Sequence, residues 1–146
     1  MEIEKASGKD LPEILSQVRK EFPYLEMDEE KLKERLLHPN IFIYKIKKGE
    51  KLAAFVDFEI LVNFVGRITA VAVLQEFRNS GFGKKLVSLA IEKLKEAGCK
   101  KILLIVAKEN RRAISLYKSF GFRKIEGGEY EISGKEVFDM AICFPG

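Results

Sequence analysis

Apolar residues near the start of the chain recur every three or four positions, which is the spacing of one face of an α-helix. The first such run begins at Asp10, which with Glu13 forms the pattern of a capping box, and it stops at Pro23. A second run begins near Asp28 and stops before Pro39. These patterns predict two amphipathic helices joined by a short loop.

Shorter segments rich in β-branched and aromatic residues predict strands. The predicted strands are Glu2–Lys5, Ile41–Ile46, Leu52–Val62, Arg67–Leu74, Ile102–Ala107, Phe122–Ile132 and Glu136–Phe144. Two further helical stripes lie among them. One spans Phe82–Ala97 and is followed by Gly98, and the other begins at the capping residue Asn110 and ends at Gly121.

This order of elements predicts an α+β fold around a mostly antiparallel sheet. Most consecutive strands are joined by turns that are short enough for hairpins. The helix Phe82–Ala97 is the exception, because it is long enough to cross over between Arg67–Leu74 and Ile102–Ala107. Those two strands should therefore be parallel.

Composition narrows the class of protein. With 146 residues, 47% of them apolar, the chain has the size and core of one domain. Charged residues make up 33%, but their signs interleave and the net charge is only +4, which argues against a nucleic-acid surface. No segment is apolar for the length of a membrane span, and the start of the chain lacks the pattern of a signal peptide. We expect a cytoplasmic protein with no membrane or nucleic-acid partner.

Metal chemistry is also not expected. The chain has one histidine and two cysteines, and neither Cys99 nor Cys143 belongs to a CxxC or Cys/His cluster. The sequence therefore predicts reduced thiols and no metal site.

The segment between Arg67–Leu74 and the next helix carries the first candidate chemistry. It contains Arg78, Gly81, Gly83 and Lys84 at a turn from a strand into a helix. The first N–H groups of a helix lack internal partners and carry partial positive charge, so such a turn can bind a phosphate. The spacing fits neither a P-loop nor a dinucleotide fingerprint. Alone, it is equally compatible with an ordinary glycine-rich turn.

A second constellation lies in the last predicted helix. Asn110, Ala113 and Tyr117 are three and four residues apart, so they share one face. That face can present a polar cap, a small residue that permits close approach, and a phenol. On its own, it is also compatible with a core stripe that has a tyrosine at its edge.

Together the two segments resemble the GNAT family of acetyltransferases. Arg78-x-x-Gly81-x-Gly83 is similar to the family's cofactor motif, and Asn110, Ala113 and Tyr117, followed by Gly121-Phe122, are similar to its second motif. The resemblance extends over essentially the whole chain. It implies one domain over 1–146, a mixed αβα sandwich in which the parallel strand pair is splayed, and transfer of acetyl from acetyl-CoA to an amine.

The resemblance also implies roles for individual residues. Tyr117 would protonate the leaving thiolate, and a backbone N–H in Val71–Val73 would polarise the thioester carbonyl. No metal takes part. The implied cofactor-binding residues are Val71, Val73, Arg78, Asn79, Ser80, Gly81, Phe82, Gly83, Lys84, Asn110, Ala113 and Tyr117.

The general base does not follow from the resemblance. Some members carry a glutamate where this chain has Arg67, and the bacterial ribosomal type carries one where it has Ile105. A water relay is one candidate, and the side-chain candidates are Asp57, Glu59, Tyr130 and Glu131. The loop Glu21–Glu29, which is apolar and acidic, would suit a cationic amine. The resemblance does not identify the acceptor, and a homodimer is compatible with it.

Two other functions stay open at this point. An acyl-CoA sensor would have the same fold without catalysis, as the missing carboxylates allow. A nucleic-acid-binding protein would instead use basic side chains near the last helix, namely Arg111, Arg112, Lys118 and Arg123.

Overall fold

A computed structural model describes residues 3–145, in which seven strands form one sheet and four α-helices pack on its faces. The strands are β1 (Ile3–Lys5), β2 (Ile41–Lys48), β3 (Lys51–Leu61), β4 (Val65–Val73), β5 (Lys101–Ala107), β6 (Arg123–Ile132) and β7 (Lys135–Cys143). The helices are α1 (Leu11–Glu21), α2 (Glu29–Leu37), α3 (Phe82–Glu96) and α4 (Arg111–Ser119).

The sheet confirms the predicted fold class. Its strand order is β1-β2-β3-β4-β5-β7-β6, and β4 with β5 is the parallel pair in an otherwise antiparallel sheet. The pairing of β4 with β5 runs from Val65↔Lys101 to Ile68↔Leu104 and stops there, although both strands continue. The two strands therefore separate in their second halves, as expected for the splayed pair.

Two apolar cores lie on opposite faces of the sheet. The core under α3 and α4 contains Leu86, Leu94, Ile102 and Leu104, all fully buried. The core under α1 and α2 is smaller, and it contains Ile14, Leu32, Phe55, Ala70 and Ala72. Because the second core reaches only as far as β4, the part of this face formed by β5, β7 and β6 has no helix packed on it within the described residues.

A β-bulge at Thr69 changes the faces of β4. Phe58 pairs with Ile68 and Asp57 with Ala70, so Thr69 is an extra residue in β4. Ile68 consequently packs in the α3–α4 core, whereas Ala70, two residues later, packs in the α1–α2 core. Without the bulge, these two residues would share a face.

The start of α1 differs from the prediction. The capping box is formed by Ser7 and Asp10 around a 3-10 turn at Gly8–Asp10, not by Asp10 and Glu13. Asp10 accepts from the Ser7 N–H at 2.8 Å and from Lys45 Nζ at 2.6 Å, which makes it a buried ion-pair partner. Burial alone would raise the pKa of Asp10, but the hydrogen bonds and the charge of Lys45 outweigh burial and lower it. The local sequence pattern could not indicate this role of Asp10, because its partner Lys45 lies far away in the sequence.

The other predicted boundaries agree with the structure to within a few residues. Asp28 caps α2 by accepting from the Lys31 N–H at 2.8 Å. The strand predicted at Arg67–Leu74 begins earlier, at Val65. Of the strand predicted at Glu2–Lys5, Glu2 lies outside the described residues, as do Met1 and Gly146 of the predicted domain 1–146.

A charged network fixes α2 to the sheet. Arg35 donates to both oxygens of Asp57, at 2.7 and 2.8 Å, and to Glu59 at 2.7 Å. Asp57 is 3% exposed, so its carboxylate depends on Arg35 for its charge partner. Burial by itself raises the pKa of Glu59, but the hydrogen bond and charge of Arg35 outweigh burial and leave this pKa lowered.

We predict that Arg35→Met lowers the free energy of unfolding by about 3–5 kcal/mol at neutral pH, because it leaves the buried carboxylate of Asp57 without its ion-pair partner and removes one of two ion pairs from Glu59. Chemical denaturation measures the loss. Arg35 lowers the pKa of Glu59 in the folded protein. The stabilisation from this pair is therefore fully present above the pKa that Glu59 has in the unfolded chain, and it is lost as the pH falls through the pKa of Glu59 in the folded protein. The difference between parent and variant should therefore narrow below about pH 4.

The matched control is Lys51→Met, which removes an exposed 2.9 Å pair with Glu76. It should change the free energy of unfolding by less than about 1 kcal/mol. Equal effects of the two substitutions would contradict the role of Arg35.

Candidate active site

A cavity of about 290 Å³ opens where the end of β4, the start of α3, α4 and the end of α1 meet. Every predicted cofactor-binding residue except Ser80 lines this cavity. The predicted residues that do so are Val71, Val73, Arg78, Asn79, Gly81, Phe82, Gly83, Lys84, Asn110, Ala113 and Tyr117. The structure thus brings two segments, separated in sequence by the whole of β5 and most of α3, to one site.

The loop before α3 has the backbone of an anion site. Asn79 and Gly81 have positive φ angles, of 66° and 87°. Left-handed residues before a helix form concave sets of N–H groups that bind anions. Helix α3 begins at Phe82, so the N–H groups of its first turn, which includes Gly83 and Lys84, have no partner inside the helix. The site therefore combines N–H donors with the positive end of the helix dipole.

Gly83 permits close packing at this point. A Cβ built there would lie 3.4 Å from Leu116 Cδ2 and 3.8 Å from Val73 Cγ2. Any larger side chain would push α3 away from α4 and β4. Gly81 differs, because a Cβ there would meet nothing within 4 Å and would point into open space.

The guanidinium of Arg78 is engaged by contacts within the protein, so its charge is not free to bind a ligand. Its Nη2 donates to Glu21 Oε1 at 2.6 Å and its Nε donates to the Val73 carbonyl at 3.2 Å. Its backbone N–H donates to the Gln75 carbonyl at 3.2 Å. Arg78 therefore ties the loop to the end of α1, and the N–H donors open to a ligand begin after it. Sequence reasoning missed Glu21, whose only signal is its position at the end of α1.

Ser80 lies outside the cavity lining. Its hydroxyl donates to the Phe77 carbonyl, a bond that closes the turn before Gly81. In this structure the side chain of Ser80 shapes the loop, and its contact with a cofactor stays a prediction.

Helix α4 presents its predicted face to the cavity. The Asn110 side chain caps the helix by accepting from the Ala113 N–H at 3.1 Å. Tyr117 is 6% exposed, and its ring meets Phe122 edge to face with centroids 5.9 Å apart. Burial, with a smaller effect from Tyr24, raises the pKa of Tyr117. The phenol is therefore protonated at neutral pH and can only donate a proton.

The separation of β4 from β5 leaves main-chain groups beside the cavity. Val71 and Val73 lie past the last β4–β5 pair, and both line the cavity. On its other side β4 is paired with β3 up to Val73. The edge of β4 that faces β5 can therefore accept an extended ligand as if it were a further strand.

Three of the four side-chain candidates for the base, Asp57, Glu59 and Tyr130, lie on the face of the sheet opposite α3 and α4. Asp57 and Glu59 do share a face, but Arg35 binds both, and Arg67 Nη2 lies 3.2 Å from Glu59 Oε2. Tyr130 donates to Asp139 Oδ1 at 2.7 Å, a partner that the sequence pattern did not single out. The fourth candidate, Glu131, is exposed near the end of β6.

None of the described helices is long and apolar enough to cross a membrane. No group of three or more histidine, cysteine, aspartate or glutamate side chains among the described residues is placed to hold a metal ion. Cys99 is buried, Cys143 is exposed, and both are free thiols.

The fold and the cavity define an α+β domain with an anion-binding loop beside a splayed strand pair. The model of the acetyltransferase (GNAT) family matches residues 11–122, which is most of the chain. This protein belongs to that family.

Similar proteins include acetyltransferases of protein N-termini. The chain is 30% identical over 83 residues to the N-alpha-acetyltransferase MAK3 of Arabidopsis thaliana, a match that covers 56% of this chain and 44% of that protein. It is 29% identical over 109 residues to a putative ribosomal protein bS18 alanine N-acetyltransferase of Bacillus subtilis, covering 73% of this chain and 72% of that protein. The chain spans less than half the length of several curated relatives that it matches.

A solved structure of similar fold is NAA60 of Arabidopsis thaliana in complex with acetyl-CoA. Its TM-score is 0.83 at 20% identity, and the alignment covers 99% of this chain and 98% of that one. At this identity, the likeness is one of fold.

We predict that acetyl-CoA raises the melting temperature and that Gly81→Glu abolishes the rise. At about 100 times Kd, a ligand stabilises by about 2.7 kcal/mol, or about 5–10 °C for a chain of this size. A glutamate at Gly81 would put bulk and negative charge where the phosphates bind. Differential scanning fluorimetry with and without acetyl-CoA measures the shift.

Gly49→Glu is the matched control, because Gly49 also has a positive φ, of 62°, with nothing within 4 Å of an added Cβ. It carries the same backbone strain and charge at a distant turn, so it should keep the full shift. Equal shifts for the parent and Gly81→Glu would remove the phosphate site from this loop.

Proposed function

We propose that this protein is an acetyl-CoA-dependent N-acetyltransferase that passes acetyl directly to a primary amine of a small molecule or peptide. One observation carries the proposal: a single cavity contains the N–H groups of the α3 start, the open edge of β4 and the buried phenol of Tyr117. In this proposal they would serve as an anion site, a site for an extended arm and a proton donor for one ligand.

The donor would bind in three parts. Its pyrophosphate would accept hydrogen bonds from the N–H groups between Asn79 and Lys84, with Lys84 supplying a full positive charge. The pantetheine arm would lie along the free edge of β4 at Val71 and Val73. Asn110 and Ala113 would border it from α4, where the small side chain of Ala113 permits close approach.

The chemistry needs two further contributions. A backbone N–H within Val71–Val73 would stabilise the negative charge that develops on the thioester oxygen as the amine attacks. Tyr117 would donate its proton to the sulfur as the C–S bond breaks. A proton donor must hold its proton when the C–S bond breaks, and the raised pKa of Tyr117 meets that requirement.

The acceptor would approach near the loop between α1 and α2. Phe22 of this loop lines the cavity, and Tyr24, two residues later in the chain, is buried. The loop therefore forms one wall of the cavity. Glu26, Asp28 and Glu29 add negative charge that would attract a cationic amine. The relatives named as N-alpha-acetyltransferases favour a peptide α-amino group within this class.

The setting follows from the same proposal. The enzyme would work in the cytoplasm with acetyl-CoA and an amine as its partners, without nucleic acid, and as a monomer or a homodimer. An acyl-CoA sensor is the alternative function. It stays open because Arg35 holds Asp57 and Glu59 in ion pairs, so neither carboxylate is free to act as the base.

The proposed function is tested by measuring release of coenzyme A thiol from acetyl-CoA in the presence of polyamines, amino acids, aminoglycosides and peptides with free N-termini. Transfer to at least one amine, confirmed by the mass of the acetylated product, is expected. Binding of acetyl-CoA without transfer to any amine would favour the sensor instead.

We predict that Tyr117→Phe lowers kcat by about 10²–10⁴-fold, or about 3–5 kcal/mol, because only the proton donor is removed. The ring remains to pack against Phe122, so the melting temperature and its shift with acetyl-CoA should change little. Steady-state kinetics with the best amine gives the rate. A parental rate, with chemistry shown to limit turnover, would return Tyr117 to a packing role.

A further inference from the structure

Attack on a thioester requires the amine to lose a proton, and the proposed site so far contains only a proton donor. The group that takes this proton is expected on the face of the sheet that the helices leave open, since α3 and α4 cover the other face. On the open face, α1 and α2 reach only to β4, and Leu103 and Ile105 of β5 are partly exposed. A group that takes the proton should lie there, next to the gap between β4 and β5.

Register places one carboxylate at that position. Asp139 of β7 pairs directly with Ile105 of β5, the residue after the last β4–β5 pair at Leu104. Neighbouring strands lie about 4.8 Å apart, and directly opposed residues point to the same face. Leu104 packs in the α3–α4 core, so Ile105 and Asp139 point to the open face. Asp139 thus lies one strand away from the gap.

The immediate surroundings of Asp139 are a tyrosine and a glycine of β6. Tyr130 donates to its Oδ1 at 2.7 Å, and this bond fixes the direction of the carboxylate. Gly128 lies beside Asp139, since a Cβ built there would be 3.5 Å from Asp139 Cβ. Within the described residues, Asp139 takes part in none of the ion pairs.

The other carboxylates on this face are committed elsewhere. Asp57 receives two hydrogen bonds from Arg35, and Glu59 receives bonds from Arg35 and Thr69 in addition to its ion pair with Arg67. Both lie on β3, on the far side of β4 from Asp139. Asp139 therefore combines nearness to the gap with freedom from an ion pair.

We infer that Asp139, oriented by Tyr130, is the catalytic carboxylate that accepts the proton of the amine, directly or through one water. The inference rests on the proposed function. The amine arrives as an ammonium ion and passes one proton to Asp139, which leaves it neutral. As the C–N bond then forms, the nitrogen loses its second proton to water. As the C–S bond breaks, the thiolate takes a proton from Tyr117. Asp139 then releases its proton to water, and Tyr117 regains one, so no other reactant is needed.

The test is the pH dependence of kcat/KM for Asp139→Asn with the best amine. The amide keeps the shape and can still accept from Tyr130. At neutral pH the variant should lose about 10²-fold or more. The loss should shrink as the pH rises towards the pKa of the amine, because more acceptor then arrives already neutral.

By strand register, the charged and titratable groups around Asp139 on the open face include Tyr130 and Arg123 on β6 and Arg67 on β4, with Glu59 of β3 beyond Arg67. Burial and the bond to Asp139 raise the pKa of Tyr130 to about 12, so Tyr130 stays protonated throughout the assay. The change in pH profile is therefore assigned to position 139.

Glu136→Gln is the matched control, because Glu136 is exposed on the same strand and points to the opposite face. It should keep the parental profile. Asp139→Asn should also keep the melting shift with acetyl-CoA. If this variant does not fold, Asp139→Ser replaces it, since serine removes the carboxylate and keeps a small polar side chain.

Parental activity, or a loss that is the same at every pH, would overturn the inference. Failure of the proposed function has a different signature, because the parent itself would then release no thiol with any amine.

Discussion

The separation of β4 from β5 beyond Ile68 and Leu104 is the constraint on which the rest of the site depends. Main-chain N–H and C=O groups must find partners when they are buried, and a sheet normally supplies them from the next strand. Here the next strand diverges, so the edge of β4 at Val71–Val73 has no strand paired to it on that side. Under the proposed function, an extended ligand would take that place, and the gap in the sheet would serve as the binding site.

The bulge at Thr69 and the network around Arg35 hold that arrangement open. The bulge lets β4 keep apolar residues in both cores while it turns away from β5. Arg35 then anchors α2 over β3, and α1 is anchored to the main chain of Leu52, whose N–H donates to Glu13 and whose carbonyl accepts from Gln17. Both helices are thereby confined to one half of their face, and the other half stays uncovered beside the gap.

Local patterns were enough to predict the helices, the strands and the parallel pair. Each of these depends on residues near one another in the chain, such as the capping of α4 by Asn110 and the crossover by α3. The pairing of Asp10 with Lys45 and of Arg78 with Glu21 could not be predicted in this way, because charged residues are common and only the fold decides which of them meet. Asp139 was missed for the same reason, since its importance lies in its register with β5.

The two ends of the strand order bear on how copies of the chain behave at high concentration. β1 has only three residues, and β6, at the other edge, contains an irregularity between Lys124 and Glu129 and is rich in charged side chains. Short, bulged and charged edges are poor templates for a strand from another molecule. The sheet is therefore protected from adding strands at its margins, even though the gap in its middle is open to an extended ligand, and this limits aggregation through edge-to-edge pairing.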